Sequence, residues 1–174
     1  MKESTALGAP IFSDNFNVGG LARWTPNNGI WTNPGAYMRG EHASGDAWNI
    51  RSTTGTNFIY EARVNILSGD GAGLAFRSSE NGSTSYDVFL NAASGALQIR
   101  RRSPVQILAS IPVAVLRNHQ YRLRVVASGS DIEAWLDGEK RLTATDASIA
   151  SGRFGVIVSR GAAAYDDVKA WALP

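Results

Sequence analysis

The chain has no cysteine, two histidines and three lysines among its 174 residues. Without cysteine, neither disulfides nor thiolate-bound metals can hold the fold. The two histidines, His42 and His119, are accompanied by no G-x-S-x-G elbow and no H-E-x-x-H helix, which removes the commonest serine-hydrolase and zinc-protease signatures. Phosphate-cradling glycine loops are missing too. No apolar run approaches the roughly 18 residues of a helical membrane span, so no membrane partner is expected. The opening MKESTALGAP lacks the apolar core of a secretory signal. The expectation is a domain cut from a longer secreted chain and working outside the cell. The net charge is only +2, carried mostly by arginine. The one basic run, Arg100-Arg101-Arg102, reads as a solvated strand end, so no nucleic-acid partner is expected and a monomer is.

What the sequence does contain is alternation. In NFIYEARVNIL, Phe58, Tyr60, Ala62, Val64 and Ile66 face one way and Glu61, Arg63 and Asn65 the other. YRLRVVA repeats this with Tyr121, Leu123 and Val125, and SYDVFLNA, ALQIRR, RFGVIVS and AYDDVKAWAL are further strands. Turn chemistry separates them: Asn27-Asn28-Gly29, Ser68-Gly69-Asp70-Gly71, Asn81-Gly82, Ser94-Gly95, Ser128-Gly129 and Asp137-Gly138. No window carries a sustained 3.6-residue period, although IPVAVLRNHQ has room for one helical turn. Many short strands at regular spacing specify an all-β fold, a two-sheet antiparallel β-sandwich or barrel. Residues 1–9 read as a tail or linker and 10–174 as one domain.

The stretch DIEAWLDGEK, residues 131–140, concentrates carboxylates around a tryptophan. Retaining glycosidases hold two carboxyls about 5 to 5.5 Å apart. Residues two apart on a strand are roughly 6.6 Å apart, so Asp131 and Glu133 are marginal for that role. Asp137-Gly138 is a two-residue hairpin signal. The stretch therefore reads as an exposed strand entering a hairpin, with Ile132, Ala134 and Leu136 in the core and no catalytic residues.

In order, FSDNF, the Trp24/Trp31 pair, GDAWNIRS, FIYEARV, GAGLAFRS, SYDVFLNAASGALQIRR, YRLRVVASGSDIEAWLDGEKRL and GRFGVIVSRGAAAYDDVKAW resemble one family. It is that of the concanavalin A-like, jelly-roll sandwich domains of levanases, the family 66 carbohydrate-binding modules. The resemblance runs from about Phe12 to Trp171. It implies a non-catalytic module holding the terminal fructose of a fructan such as levan, with a polar pocket, a polysaccharide ligand and a linked glycoside hydrolase. Carried over by position, it implies Arg77 in GLAFRSS, Tyr86 at the start of the next strand, Asn91 at that strand's polar end, and Glu41 in YMRGE. Two positions depart from the family pattern. Ser159 stands where a tryptophan often follows F-G-x-x-V, and Asn91 stands where an aspartate is expected.

Alternation independently puts Leu74 and Phe76 in the core and leaves Gly73, Ala75 and Arg77 outside. Small neighbours there make room for a sugar ring against a guanidinium that can donate two parallel hydrogen bonds. The competing reading pairs Arg77 with Asp87 or Glu61. Asp87, Phe89 and Asn91 share one face, so either Tyr86 or the Asp87–Asn91 pair meets the ligand. Trp48 is either core or a stacking platform. No cofactor is expected. A structural calcium between Asp14 and Asp166-Asp167 is conceivable, but surface and turn aspartates account for those residues with too few oxygens for the ion. The alternative functions are an enzyme resembling the 3-keto-disaccharide hydrolases, with Asp131, Glu133 or Glu41 as its suspects, and a laminin-G-like protein-interaction domain.

Overall fold

Phe58, Tyr60, Ala62, Val64 and Ile66 are all buried, and so are Tyr121, Leu123 and Val125, as the alternation requires. The computed structural model describes residues 7–174. Residues 1–6 of the expected tail lie outside those described. The strands are β1 (Phe12–Asp14), β2 (Trp24–Asn27), β3 (Ile30–Gly35), β4 (Tyr37–Gly55), β5 (Phe58–Ser68), β6 (Gly71–Ser78) and β7 (Ser85–Asn91). They continue with β8 (Ala96–Arg102), β9 (Gln106–Pro112), β10 (Gln120–Ser128), β11 (Asp131–Leu136), β12 (Glu139–Thr145) and β13 (Gly152–Ala172). Among the described residues there is no helix, and residues 113–119 run as loop and turn.

Every pairing is antiparallel, in the order β12-β11-β10-β5-β13-β6-β7-β8-β9. The sheet folds over along β13, which pairs with β6 through its first half and with β5 through its second. One layer is therefore β6–β9 with the first half of β13. The other is β5, β10–β12 with the second half. RFGVIVS and AYDDVKAWAL, expected as separate strands, are one strand because β4 accompanies β13 across the fold. Between the layers Phe58 and Phe154 meet edge to face at 4.6 Å, and the buried Tyr60 hydroxyl donates to the Gly155 carbonyl at 2.7 Å.

The fold line is a double irregularity. His42 pairs with Gly161 and Asp46 with Ser159, so Ala43–Gly45 opposes Arg160 alone, whose φ is +48°. Such bulges re-aim side chains and sharpen twist. DIEAWLDGEK is the expected hairpin, β11 and β12 joined by Asp137 and Gly138 with φ of +50° and +86°. Positive φ at both positions suits a strand-matched two-residue turn. Asp137 Oδ1 accepts the Arg122 amide at 2.8 Å, which ties the turn to β10.

Candidate functional site

Asp87 on β7 and Arg100 and Arg102 on β8, on the side of those strands away from the core, form a row of charge. Asp87 and Arg100 are register partners on these strands. Asp87 is fully buried, with its Oδ1 2.7 Å from Arg100 Nε and its Oδ2 3.2 Å from Arg102 Nε. Arg102 reaches on to Asp46 Oδ2 at 2.8 Å. Each guanidinium also covers an aromatic ring: Arg100 lies 3.7 Å from the Phe89 centroid and Arg102 5.2 Å from that of Trp48. The expectation of a solvated Arg100–Arg102 strand end is therefore corrected. Arg100 and Arg102 are buried and close the outer face over a small apolar cluster of Trp48, Ile50, Ala75, Phe89 and Ile157. Trp48 belongs to this cluster and is no exposed platform. Gly82 sits against its indole, where an added Cβ would come within 2.8 Å of the ring.

Over this floor opens a concavity of about 300 Å³ lined by Asp46, Asp70, Phe89, Asn91, Arg100, Arg102, Ser159 and Arg160, among others. Its size is at the lower end for small-ligand pockets, suited to a compact polar ligand. Arg100 Nη2 is buried with no hydrogen-bond partner among the described residues. Leaving such a donor unpaired is costly, and a ligand hydroxyl that reached it would supply the missing acceptor. Burial pushes the Asp46 carboxyl upward, but the Ser159 hydroxyl and Arg102 outweigh it and hold Asp46 below the usual carboxylate range. Asp46 is therefore an ionised acceptor at neutral pH. Arg160 also borders a second, wider cleft beside the fold line, with Glu41, His42, Ser44 and Ser68.

The expected site residues separate into three groups. Asn91 lines the pocket and Asp87 lies beneath it, so the Asp87–Asn91 face, and not Tyr86, is the one that meets the concavity. Glu41 lies in the neighbouring cleft, paired with Arg39 at 2.8 Å. Arg77 and Tyr86 are elsewhere. Ala75 pairs with Gly155 and Ser78 with Arg153, so Phe76 and Arg77 oppose a single residue in a bulge, with Arg77 at φ +48°. The bulge breaks the alternation that placed Arg77 on the open face, and Arg77 is buried without Asp87 or Glu61 for a partner. Its Nη2 donates to the Thr56 carbonyl at 2.7 Å and its Nη1 to the Ile149 carbonyl at 3.1 Å. Tyr86 stacks on Phe76 in the core, and its hydroxyl donates to Asp146 Oδ1 at 2.5 Å and accepts from the Ile149 amide at 3.1 Å. Arg77 and Tyr86 both anchor the segment between β12 and β13.

Glu61, the other partner considered for Arg77, is bound by Arg124 at 2.7 Å. Asp14 is likewise engaged: Oδ1 accepts the Phe16 amide and Oδ2 the Trp24 indole, both at 2.9 Å. Asp167 faces Arg63 at 3.3 Å, and no group of three or more His, Asp or Glu converges as a metal site among the described residues.

Two antiparallel layers with a polar concavity on an outer face define a lectin-like sandwich of the concanavalin A type. Within that class the chain is similar to the levanase-type family 66 modules. A solved structure described as carbohydrate binding module CBM66 from Bacillus subtilis matches with a TM-score of 0.83 and 25% identity, over 86% of this chain and 96% of that one. The levanase of Bacillus subtilis (strain 168) is 26% identical over 153 residues, 85% of this chain. That of Bacillus sp. (strain L7) is 29% identical over 125 residues. The chain spans only 22% and 14% of the lengths of those two levanases. A Bacillus subtilis protein of unknown function with a galectin-like fold has a TM-score of 0.79 at 11% identity, a likeness of fold alone. No family model matches the chain. The matched stretch is a module within much longer proteins, and the solved structure it resembles is a carbohydrate-binding module.

Proposed function

We propose that the chain is a carbohydrate-binding module that takes the terminal fructose of a fructan such as levan into the Asp46–Arg100–Arg102 pocket. In a full-length protein it would hold a linked glycoside hydrolase at its polysaccharide outside the cell. The observation that carries this reading is the unpartnered Arg100 Nη2 in a pocket that already sets an ionised carboxylate beside buried guanidiniums. Sugar hydroxyls both donate and accept, and a fixed arrangement of acceptor carboxylate and donor guanidinium recognises them by complementing both roles. The likeness to levanases supplies the fructan; the pocket chemistry supplies only a neutral polyol. An enzyme at this pocket is disfavoured by Asp46. A glycosidase needs a carboxyl of raised pKa as general acid, and Asp46 is shifted the other way.

The test is isothermal titration calorimetry against levan, inulin and fructose, with Asp46→Ala beside the parent chain. Binding to levan that weakens at least about tenfold in a variant of unchanged melting temperature is the expected result, the loss of one charge-assisted hydrogen bond. A folded parent chain silent toward all three sugars would overturn the fructan reading.

A further inference from the structure

The opposite layer of the sandwich has a concavity to which the function above gives no role. It measures about 440 Å³ and is formed chiefly by Tyr37, Asn65, Leu67, Gln120, Ala164 and Asp166. Register explains why these residues meet. Gln120 pairs with Asn65 and Asn65 with Ala164, so the three form one row across β10, β5 and β13. Their chain neighbours Tyr121, Val64 and Tyr165 fill the core, so the row faces outward. Tyr37 likewise precedes the buried Met38 and turns its ring to the same side. Ala164 is the low point because its methyl leaves the space that longer side chains wall in.

The chemistry of the walls is selective. A half-exposed phenol ring and Leu67 offer apolar surface to the C–H face of a sugar, while two amides and a carboxylate offer hydrogen bonds to its hydroxyls. Asn65 Oδ1 is buried with no hydrogen-bond partner among the described residues. That acceptor is costly to leave unpaired, and a hydroxyl donor would satisfy it. No arginine or lysine lines the concavity, and its one charged wall is acidic. Phosphates, sulfates and uronic acids are therefore disfavoured relative to a neutral polyhydroxylated ring.

We propose that this concavity is a second carbohydrate site, binding an internal stretch of the same neutral polysaccharide that the first site holds by its end. The proposal rests on the carbohydrate reading above. The two sites lie on opposite outer faces of the sandwich, so they engage separate chains or distant stretches of one branched chain. Simultaneous engagement raises retention on polymer without altering affinity for short sugars.

The experiment follows side-chain amide signals by ¹⁵N NMR during titration with a fructan oligosaccharide, and retention in native gels containing levan. The proteins compared are the parent chain, Tyr37→Ala, Gln120→Arg and Asp46→Ala. Gln120 is exposed, so its replacement by arginine obstructs the concavity without touching the core. The expected result is that the Asn65 and Gln120 amides shift in the parent chain. Tyr37→Ala and Gln120→Arg should then lose at least about a hundredfold in retention on levan, the lower end of the range that avidity spans, while oligosaccharide binding at the Asp46 pocket is unchanged. Amides that stay still while signals around Asp46 move to saturation would overturn the second site and leave the first. Shifts at Asn65 and Gln120 alone would uphold the second site and overturn the first. A folded spectrum that moves nowhere would overturn both.

Discussion

Arg100 lies 3.7 Å over the ring of Phe89 while its Nε holds Asp87 at 2.7 Å. One guanidinium thus seals an apolar floor with its face and neutralises a fully buried carboxylate with its edge. Arg102 repeats the arrangement over Trp48. Asp87 is therefore the keystone of the pocket without reaching it. Replacing Asp87 with alanine removes the shared counter-charge from two buried arginines, and breaking a buried pair in this way costs about 3–5 kcal/mol. Urea denaturation should show a loss of that order, with sugar binding lost as the arginine row loosens.

Arg77→Ala should separate stability from binding in the opposite sense. The Arg77 guanidinium donates to the carbonyls of Thr56 and Ile149 and has no place in the pocket. Its loss leaves two carbonyls without their charged donor, a cost of about 2–4 kcal/mol. Melting should fall accordingly, while calorimetry on the folded variant should return the parent affinity for levan.

The contrast between Asp87 and Arg77 shows how far the sequence could be read. The layers, the core faces of β5, β10 and β11, and the Asp137-Gly138 hairpin all follow from local alternation and turn chemistry. The charge row was legible by the same means. The Ser94-Gly95 turn sets Asn91 opposite Ala96, and counting back along β7 and β8 brings Asp87 opposite Arg100. An arginine triplet at a strand end reads as solvated until its outer-face members are set against the acid they oppose. Arg77 was not legible in this way. Its bulge packs against Gly152 of a distant strand, where an added Cβ would come within 2.4 Å of the Arg77 backbone. No local pattern announces that approach. Asp46 owes its position to the irregularity where β4 meets Arg160, which again lies in pairing and not in period.

Asp46 also gives the site a pH signature. Its folded-state pKa lies below the ordinary 3.8 because the Ser159 hydroxyl and Arg102 outweigh the effect of burial. A carboxyl depressed on folding contributes stability that is fully present above the unfolded pKa and lost as pH falls through the folded one. Levan affinity, which calls on the ionised Asp46, should hold level through neutral and mildly acidic pH and weaken as pH falls through the lowered folded-state pKa. Ser159→Ala removes one stabilising partner and should move that fall toward higher pH, as calorimetry across an acid series would register.

The carboxylates of DIEAWLDGEK should prove dispensable to binding. Glu133 accepts the Trp135 indole at 3.2 Å and lies 3.8 Å from Lys140 on the outer face of β11. Pairs exposed to this degree contribute about 0–1 kcal/mol. Glu133→Gln should shift urea midpoints little and leave levan affinity unchanged. The turn beyond it behaves differently. Gly138 has φ +86°, where a β-branched residue is strained, so Gly138→Val should cost about 1–3 kcal/mol. If Glu133→Gln instead abolished binding while Gly138→Val was silent, the hairpin would be part of the site and not of the scaffold.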